Sequence, residues 1–206
     1  ALDVGPERAS TDRELDADRD DTVVGHVDTR DHAEGDDVGT QFGVDDGADD
    51  VAAEPASVGS SSTFEIEVWA DNWMAVYVDG VLIGEDSVPI TTERSFNAEA
   101  FTFNASTPFT LAIEAKDFKE TDSGIEYIGE RNQQMGDGGI IAQVTDLSTG
   151  EIVTATDANW ATLVVHQAPL NAECVADSDP DRTCEFLIVD TPSDWTSASF
   201  DDSGWA

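Results

Sequence analysis

The sequence predicts an all-β protein built as a β-sandwich, and three observations lead to that fold class. Many short runs rich in β-branched and aromatic residues are separated by turn residues from Thr63 onward. Two of these runs, Phe64–Ala70 and Phe109–Ala115, alternate apolar and polar residues with a period of two. A third segment, Trp73–Gly84, reads as a β-hairpin. Together they favour a two-layered sandwich in which some strands have one face exposed to solvent.

The hairpin is the clearest local signal. Asp79-Gly80 joins two β-rich runs, and both central positions of such a turn need a positive φ angle. Met74, Val76 and Val78 should share one face of the strand, because strand side chains alternate. The opposite face also carries large residues, so we expect the hairpin to lie centrally in its sheet and to be covered on both faces.

The remaining strands follow in order along the chain, with turn chemistry between them. One short helix candidate lies around Asp117–Ile128. The predicted strands are Phe64–Ala70, Trp73–Val78, Val81–Glu85, Ala100–Asn104, Phe109–Ala115, Ile140–Asp146, Ile152–Ala155, Thr162–His166 and Phe186–Val189.

Residues 1–62 form an acidic N-terminal arm that differs from the sandwich at 63–206. The arm carries 18 acidic residues and 4 arginines, and Phe42 is its single aromatic residue. Such a segment buries too little apolar surface to offset its ordering entropy, so alone it should be disordered. Thr22–Val27 is its one strand-like piece, and Glu54–Ser62 reads as a linker. The arm either lies along its own domain or is ordered by a neighbouring subunit.

The net charge of −36 excludes several classes of partner. Acidic residues number 45 against 9 basic ones, which disfavours nucleic acids and anionic membrane surfaces. The composition favours cations, high salt or a basic partner. A halophilic protein with screened carboxylates and a secreted calcium-dependent protein are both compatible with it.

Cysteine usage and sequence motifs favour an extracellular or cell-surface location. Cys174 and Cys184 lie close together in a polar loop, and in an exported protein we expect them to form a disulfide; two free thiols are the alternative. No run reaches the roughly 18 apolar residues of a membrane helix. Asn104 begins a glycosylation sequon in a predicted turn.

Calcium is the cofactor that the acidic residues favour. Asp177, Asp179 and Asp181 have the alternating spacing that begins an EF-hand loop. The rest of that motif is missing, because Arg182 stands where glycine is needed and Ile188 where a glutamate is needed. We therefore expect either a weaker calcium loop or a solvated acidic loop. Outside that loop, Asp137, in the segment MGDGG, is a further candidate ligand.

A carbohydrate site would need an exposed aromatic platform with polar hydrogen-bonding groups around it. The alternative is that the tryptophans fill the core. The candidate ligand-binding residues are Trp160, Tyr127, Arg131, Asn132 and Gln134.

Catalysis is not expected. Of the three histidines, His166 ends a predicted strand and could act as a base, but a structural role suits that position better. No pair of carboxylates stands out as a glycosidase pair. We therefore predict that the chain is not an enzyme.

Two segments resemble galactose-binding-like jelly-roll domains, such as the sugar-binding modules of family 2 glycosidases. They are WTSASFDDSGW at the end of the chain and the hairpin Trp73–Gly84. More closely, Phe64–Ala206 resembles a β-sandwich region of secreted marine bacterial and algal proteins, found beside YHYH or phosphatidylethanolamine-binding-type domains. The shared stretches are DNW, EDSVPITTERSFNAE, QQMGDGG, HQAPLN and FDDSGWA.

The resemblance implies a jelly-roll fold and structural calcium, while fold likeness alone gives no function. In galactose-binding-like domains the FDDSxW motif is followed by at least one more strand, so we expect either that the protein continues beyond Ala206 or that a strand comes from elsewhere. An incomplete sandwich would present an unpaired sheet edge. We therefore predict a non-catalytic extracellular structural subunit that self-assembles into a filament or surface layer, as a homo-oligomer or polymer. The alternative is a carbohydrate- or surface-binding module of a larger secreted protein, with a polysaccharide as partner.

Overall fold

The computed structural model describes residues 20–28, 61–90 and 97–206, with the backbone alone for 20–28. Nearly all regular structure in these ranges is strand. Two short helical turns cover Ala172–Ala176 and Pro180–Thr183 (α1). The strands are β1 Asp20–Asp28, β2 Ser62–Asp71, β3 Trp73–Val78, β4 Val81–Glu85, β5 Asn97–Ala105, β6 Thr110–Lys116, β7 Ile125–Glu126, β8 Gln134–Met135, β9 Gly139–Asp146, β10 Ile152–Ala155, β11 Ala161–Ala168 and β12 Leu187–Ile188.

Two antiparallel sheets form the sandwich. The six-stranded sheet has the order β12-β11-β1-β6-β3-β4, and the four-stranded sheet has the order β10-β9-β2-β5. Strands β7 and β8 pair separately as a two-stranded ribbon. The predicted all-β sandwich is confirmed. Within the described residues, no helix has the length and apolar character that spanning a membrane requires.

The core lies between the two sheets and follows the predicted alternation. Phe64 on β2 contacts the rings of Phe103 and Phe109, with centroids 5.5 and 5.0 Å away. Each fully buried side chain of this size contributes about 1.5–3 kcal/mol by leaving water. The inward-facing residues of β2, β3 and β6 belong to one buried cluster: Phe64, Ile66, Val68, Ala70, Met74, Val76, Val78, Leu111 and Ile113.

The hairpin turn forms as predicted, but its position in the sheet differs. Asp79 and Gly80 have φ angles of 48° and 81°, the positive values that this turn needs. Strand β4 is an edge strand, and Val81 and Leu82 are 66% and 49% exposed. The expectation of a central hairpin is therefore wrong, because β4 has a neighbour on one side only.

The C-terminal segment covers the outer face of β3 and β11. The rings of Tyr77 and Trp195 lie 5.7 Å apart, and Phe200 and Trp205 pack in the same cluster. The backbone of the last residue exchanges two hydrogen bonds with Thr162, at 3.0 and 2.9 Å. The face of β3 that points away from the core is therefore covered by this C-terminal segment.

The predicted helix around Asp117–Ile128 is absent, and this prediction is wrong. The segment forms turns and ends in β7. Gly124 has a φ of +67°, and a Cβ there would lie 2.5 Å from the carbonyl oxygen of Ala168. The Asp117 carboxylate also accepts a hydrogen bond from the Phe118 N–H at 2.8 Å, which competes with helical pairing.

One strand of the acidic arm belongs to the sandwich of its own chain. Strand β1 lies between β6 and β11, with Gly25 in register with Ile113 and Thr162. This confirms the strand predicted at Thr22–Val27. Of the other arm residues, Ser61 and Ser62 are described and Ser62 begins β2, while the rest lie outside the described ranges. The division into an arm and a sandwich, and the manner in which the rest of the arm is held, therefore stay predictions.

Candidate functional site: three aspartates beside a polar cavity

Three aspartates meet at one end of the sandwich, and we call them the aspartate cluster: Asp71, Asp117 and Asp137. One carboxylate oxygen of each lies within 4.8 Å of the others. Asp71 ends β2, Asp117 follows β6, and Asp137 precedes β9. Among the described residues, this is the one group of three or more potential metal ligands at such distances.

Antiparallel pairing brings these strand ends together. Asp71 is in register with Gly139 at the start of β9, and Trp73 is in register with Lys116 at the end of β6. The three aspartates are therefore placed by the sheet architecture and not by a local loop motif.

Backbone groups hold Asp117 in place. It is 3% exposed, and its Oδ1 accepts from the N–H of Phe118 while its Oδ2 accepts from the N–H of Gly138 at 3.1 Å. A Cβ at position 138 would lie 2.8 Å from the Asp117 Cβ, so glycine is required for this close approach. The side chain of Asn72 accepts from the same Phe118 N–H.

One oxygen of the cluster is buried without a partner. Asp71 Oδ1 accepts no hydrogen bond although it is inaccessible to water. Burial, and then the charge of Asp137, raise the pKa of Asp71. A buried carboxylate oxygen without a partner is costly. A bound cation would satisfy this oxygen.

Glu126 extends the acidic character of this end. It is 4% exposed, and its Oε2 accepts from the Gln134 side chain at 3.3 Å. Burial chiefly raises the pKa of Glu126, and the charges of Asp137, Asp71 and Glu120 raise it further. The repulsion between these groups again favours a cation at this end.

A cavity of about 380 Å³ adjoins the cluster and shares Asp137 with it. Its other lining residues are Gln133, Gln134, Met135 and Val175. Amide and carboxylate groups above an apolar wall provide both hydrogen bonds and packing surface for a polar ligand.

Gln133 joins the two loops that form this cavity. Its Nε2 donates to the carbonyl oxygens of Val175 and Asp177, at 2.6 and 3.0 Å, and its Oε1 accepts from the N–H of Gly129 at 2.7 Å. The side chain is therefore used to fix the loops relative to each other.

The predicted disulfide lies behind the cavity. Cys174 and Cys184 are bonded, which confirms the pairing. Both are buried in a small apolar cluster with Ile125, and Met135 and Val175 pack against it. The disulfide loop thereby supplies the apolar wall of the cavity.

The acidic loop contains the predicted calcium ligands Asp177, Asp179 and Asp181. All three residues are exposed. The carboxylate of Asp181 accepts from Thr121, and Asp179 lies 4.0 Å from Arg182. The three do not converge as a group of ligand atoms among the described residues. Their calcium binding stays a prediction, whereas Asp137 does lie in the aspartate cluster.

The predicted sugar-binding residues separate into two groups. Gln134 lines the cavity, and Tyr127, Arg131 and Asn132 lie on the same loop, the last two exposed. Trp160 is 8% exposed, and its Nε1 donates to the carbonyl of Ala155 at 3.0 Å. It belongs to the core cluster and is not an exposed platform.

Trp160 also lines a second cavity, of about 140 Å³, between the sheets. The other lining residues are Ile113, Ala115, Ile140, Thr156, Asp157 and Thr162. This cavity is mainly apolar.

Two further predicted residues have plain structural surroundings. His166 is 4% exposed, its Nε2 lies 3.3 Å from the carbonyl oxygen of Asp122, and burial chiefly lowers its pKa. Its Nδ1 is buried without a hydrogen-bond partner, so the expected structural role stays a prediction. Asn104 is an exposed residue of β5, and its Oδ1 accepts from the Thr63 hydroxyl at 2.8 Å. Its glycosylation stays a prediction.

Sequence reasoning missed Asp71, Asp117 and Gln133. Asp71 directly follows a predicted strand, in WAD, and Asp117 lies two residues after another, in EAKD. Polar residues at the ends of strands that meet at one edge would have been the signal. Gln133 had no local signal, because its partners lie on a distant loop.

No known family matches this chain by its sequence pattern, and no curated protein matches it. Several solved structures share part of its shape. A lectin from Pleurotus ostreatus in complex with GalNAc has 16% identity and a TM-score of 0.48, covering 96% of this chain and 40% of the lectin. A GH78 family rhamnosidase of Bacillus sp. GL1 has 17% identity and a TM-score of 0.48, covering 94% and 18%. A PA14 sugar-binding domain from an RTX adhesin has 15% identity and a TM-score of 0.31, covering 47% and 44%.

This chain spans less than half the length of each of these proteins. Likeness at this level does not carry a ligand or an activity from them to this chain. What the structure shows of this chain is an all-β sandwich with an aspartate cluster beside a polar cavity.

Proposed function

We propose that this chain is a non-catalytic, extracellular carbohydrate-binding module whose ligand lies in the cavity beside a divalent cation. The observation that carries the proposal is the aspartate cluster, in which Asp71 Oδ1 is buried without a partner and Asp137 lines the adjoining polar cavity. This geometry supports the alternative function that the sequence indicates, rather than the self-assembling subunit.

Calcium fits the residues of the cluster. It takes six to eight oxygen ligands, and carboxylates are its usual protein ligands. Asp71, Asp117 and Asp137 would hold the ion, since their oxygens lie within 4.8 Å of one another. When bound, the cation supplies a positive centre to which sugar hydroxyls can coordinate. It would also provide the partner that Asp71 Oδ1 lacks.

The cavity offers what a polyhydroxylated ligand needs next to the ion. The exposed amide of Gln134 can donate and accept hydrogen bonds, and Met135 and Val175 present apolar surface to the ring face of a sugar. Gln133 holds the two walls together through its bonds to Val175 and Asp177. The chain's own residues thus orient the ligand and close one side of the cavity.

Isothermal titration with calcium tests the cation half of the proposal. We expect binding to the wild-type chain and a loss of at least about tenfold in affinity for Asp71→Asn, since even residues outside the first ligand set change metal affinity by that factor. Asp179→Asn is the matched control, because this exposed aspartate should leave calcium binding at the cluster unchanged.

A glycan array read in calcium and in chelator tests the sugar half. We expect binding in calcium that is lost in chelator and in Asp71→Asn, and kept in Asp179→Asn. Calcium binding without any glycan binding would overturn the proposed function. Equal losses in the two variants would place the cation elsewhere and overturn the assignment of the site.

A further inference from the structure

Five carboxylates lie at this end of the sandwich: those of the aspartate cluster, Glu120 and Glu126. We call them the coupled group. Glu126 and Glu120 add to the aspartate cluster, because the charges of Glu120, Asp71 and Asp137 all act on Glu126. Glu126 is almost fully buried, so solvent screens its charge little. The cavity therefore lies at a strongly negative end of the sandwich.

The nearby basic residues do not offset this charge at the cavity. Lys116 lies 2.8 Å from Glu114 and 4.5 Å over the ring of Trp73. Lys119 lies 2.7 Å from Asp122. Both are thus paired with acids outside the aspartate cluster.

The cavity is lined by one carboxylate and two amides, and the amide N–H groups of Gln133 already donate to the carbonyls of Val175 and Asp177. Asp137, Gln133 and Gln134 are its polar lining residues, and Met135 and Val175 are apolar. Arg131 is exposed on the same loop and does not line the cavity. A bound divalent cation favours the ionised form of the five carboxylates around it, cancels two of their negative charges and leaves three.

We propose that the cavity beside the aspartate cluster selects uncharged, hydroxyl-rich sugars and rejects sugars that carry a carboxylate or a sulfate group. This selectivity rests on the carbohydrate-binding function proposed above. Hydroxyl groups can coordinate the cation and bond to the exposed amide of Gln134 without bringing charge. A carboxylate on the ligand would instead be a further negative group beside three carboxylates already around the ion.

The test compares two matched ligands by isothermal titration in calcium. One is an uncharged oligosaccharide that binds on the array, and the other is the same oligosaccharide with one C6 hydroxymethyl group oxidised to a carboxylate. Three net negative charges about 8 Å away in water give a penalty of about tenfold in Kd for the oxidised ligand at low salt. Raising the salt from 0.01 to 1 M shortens the screening length from about 30 to about 3 Å, so the gap should close.

The outcomes separate this inference from the function on which it rests. If the oxidised ligand binds as tightly as the uncharged one, the inference is wrong while the carbohydrate-binding function stands. A gap that does not change with salt also overturns it, since the loss would then come from the missing hydroxyl. If neither ligand binds, the proposed function fails and the inference fails with it.

A pair of variants tests whether the charge of Glu126 contributes to the difference in affinity between the two ligands. Glu126→Gln removes one carboxylate from the coupled group and should narrow the ratio of the two dissociation constants by about twofold. Asp146→Asn removes a carboxylate at the opposite end of β9 from the cavity and should leave the ratio unchanged. Equal effects of the two variants would show that only overall net charge matters, which contradicts a selective cavity.

Discussion

The aspartate cluster and the acidic loop each contain three aspartates, in opposite surroundings. In the acidic loop, the alternating residues Asp177, Asp179 and Asp181 are close in sequence and exposed to solvent. In the cluster, three aspartates from distant parts of the chain bring their oxygens within 4.8 Å of one another. Carboxylates in water are hydrated and screened, while convergent and partly buried ones repel each other unless a cation joins them. We therefore expect a cation at the aspartate cluster, where the carboxylates converge in space, rather than at the acidic loop.

The largest expected effect is on stabilisation by calcium. At one hundred times its Kd, a bound cation stabilises the folded chain by about 2.7 kcal/mol. That corresponds to about 5–10 °C in Tm for a chain of this size. We expect Asp71→Asn combined with Asp137→Asn to abolish this shift, and thermal unfolding with and without calcium measures it.

The matched control removes two carboxylates from the acidic loop. Asp177→Asn combined with Asp181→Asn changes the net charge by the same amount and should keep the calcium shift. If the loop variant loses the shift and the cluster variant keeps it, the comparison between the two regions is reversed.

The sequence was sufficient for the sandwich because the strands carry their own signals. Alternation in β2 placed Phe64, Ile66 and Val68 inside, and the Asp79-Gly80 turn fixed the hairpin. Prediction from the sequence failed where a tertiary contact determines the local structure. Gly124 is held in a left-handed conformation against Ala168, and neither residue reveals this from its neighbours in sequence.

The candidate site was predictable only in part, for the same physical reason. Asp137 and Gln134 stood out because they lie in a glycine-rich loop that favours function. Asp71 and Asp117 come from the ends of β2 and β6, and their proximity depends on the strand order and register of both sheets. The disulfide was predictable because two cysteines allow one pairing.

A glycine substitution should break the cluster without removing a carboxylate. In Gly138→Ala the new Cβ would lie 2.8 Å from the Asp117 Cβ, so Asp117 must move away from its partners. We expect a destabilisation of about 1–3 kcal/mol and calcium affinity reduced by at least about tenfold. Urea unfolding and isothermal titration measure the two effects.

Gly139→Ala is the control for this variant. A Cβ at position 139 would have no atom within 4 Å, so stability and calcium affinity should be close to those of the wild type. If both alanine variants behave alike, the approach of Gly138 to Asp117 does not position the cluster.

Gln133→Ala tests what the acidic loop contributes to the cavity. The substitution removes the hydrogen bonds to the carbonyls of Val175 and Asp177 and the one from the N–H of Gly129, with a net loss of about 1 kcal/mol per bond in the free energy of unfolding. Calcium affinity should stay within about twofold, because no Gln133 atom belongs to the cluster, while sugar affinity falls as the cavity wall loosens. Gln143→Ala, whose amide donates to Glu67 on the sheet surface, is the control and should leave sugar affinity unchanged.

The smallest expected effect is the pH dependence of stability in the calcium-free chain. Burial chiefly raises the folded-state pKa of Glu126 above its ordinary value of 4.5, so folding favours the protonated form. The stabilisation is complete below pH 4.5 and is lost as the pH rises through the folded-state pKa. Glu126→Gln removes this dependence, so urea unfolding should show the wild type losing stability relative to the variant across that window. The lowered pKa values of Asp122, Asp146 and Asp201 act in both proteins and cancel in the difference.

Adding calcium should reverse the sign of that difference. A cation in the aspartate cluster favours the ionised carboxylates around it, so the wild type should gain stability relative to Glu126→Gln as the pH rises. A cation held only by the exposed acidic loop would leave unchanged the pH dependence of stability that the buried Glu126 causes. A pH profile that calcium does not change would therefore move the cation site away from the cluster, and the cavity beside it would lose the positive centre on which its sugar binding depends.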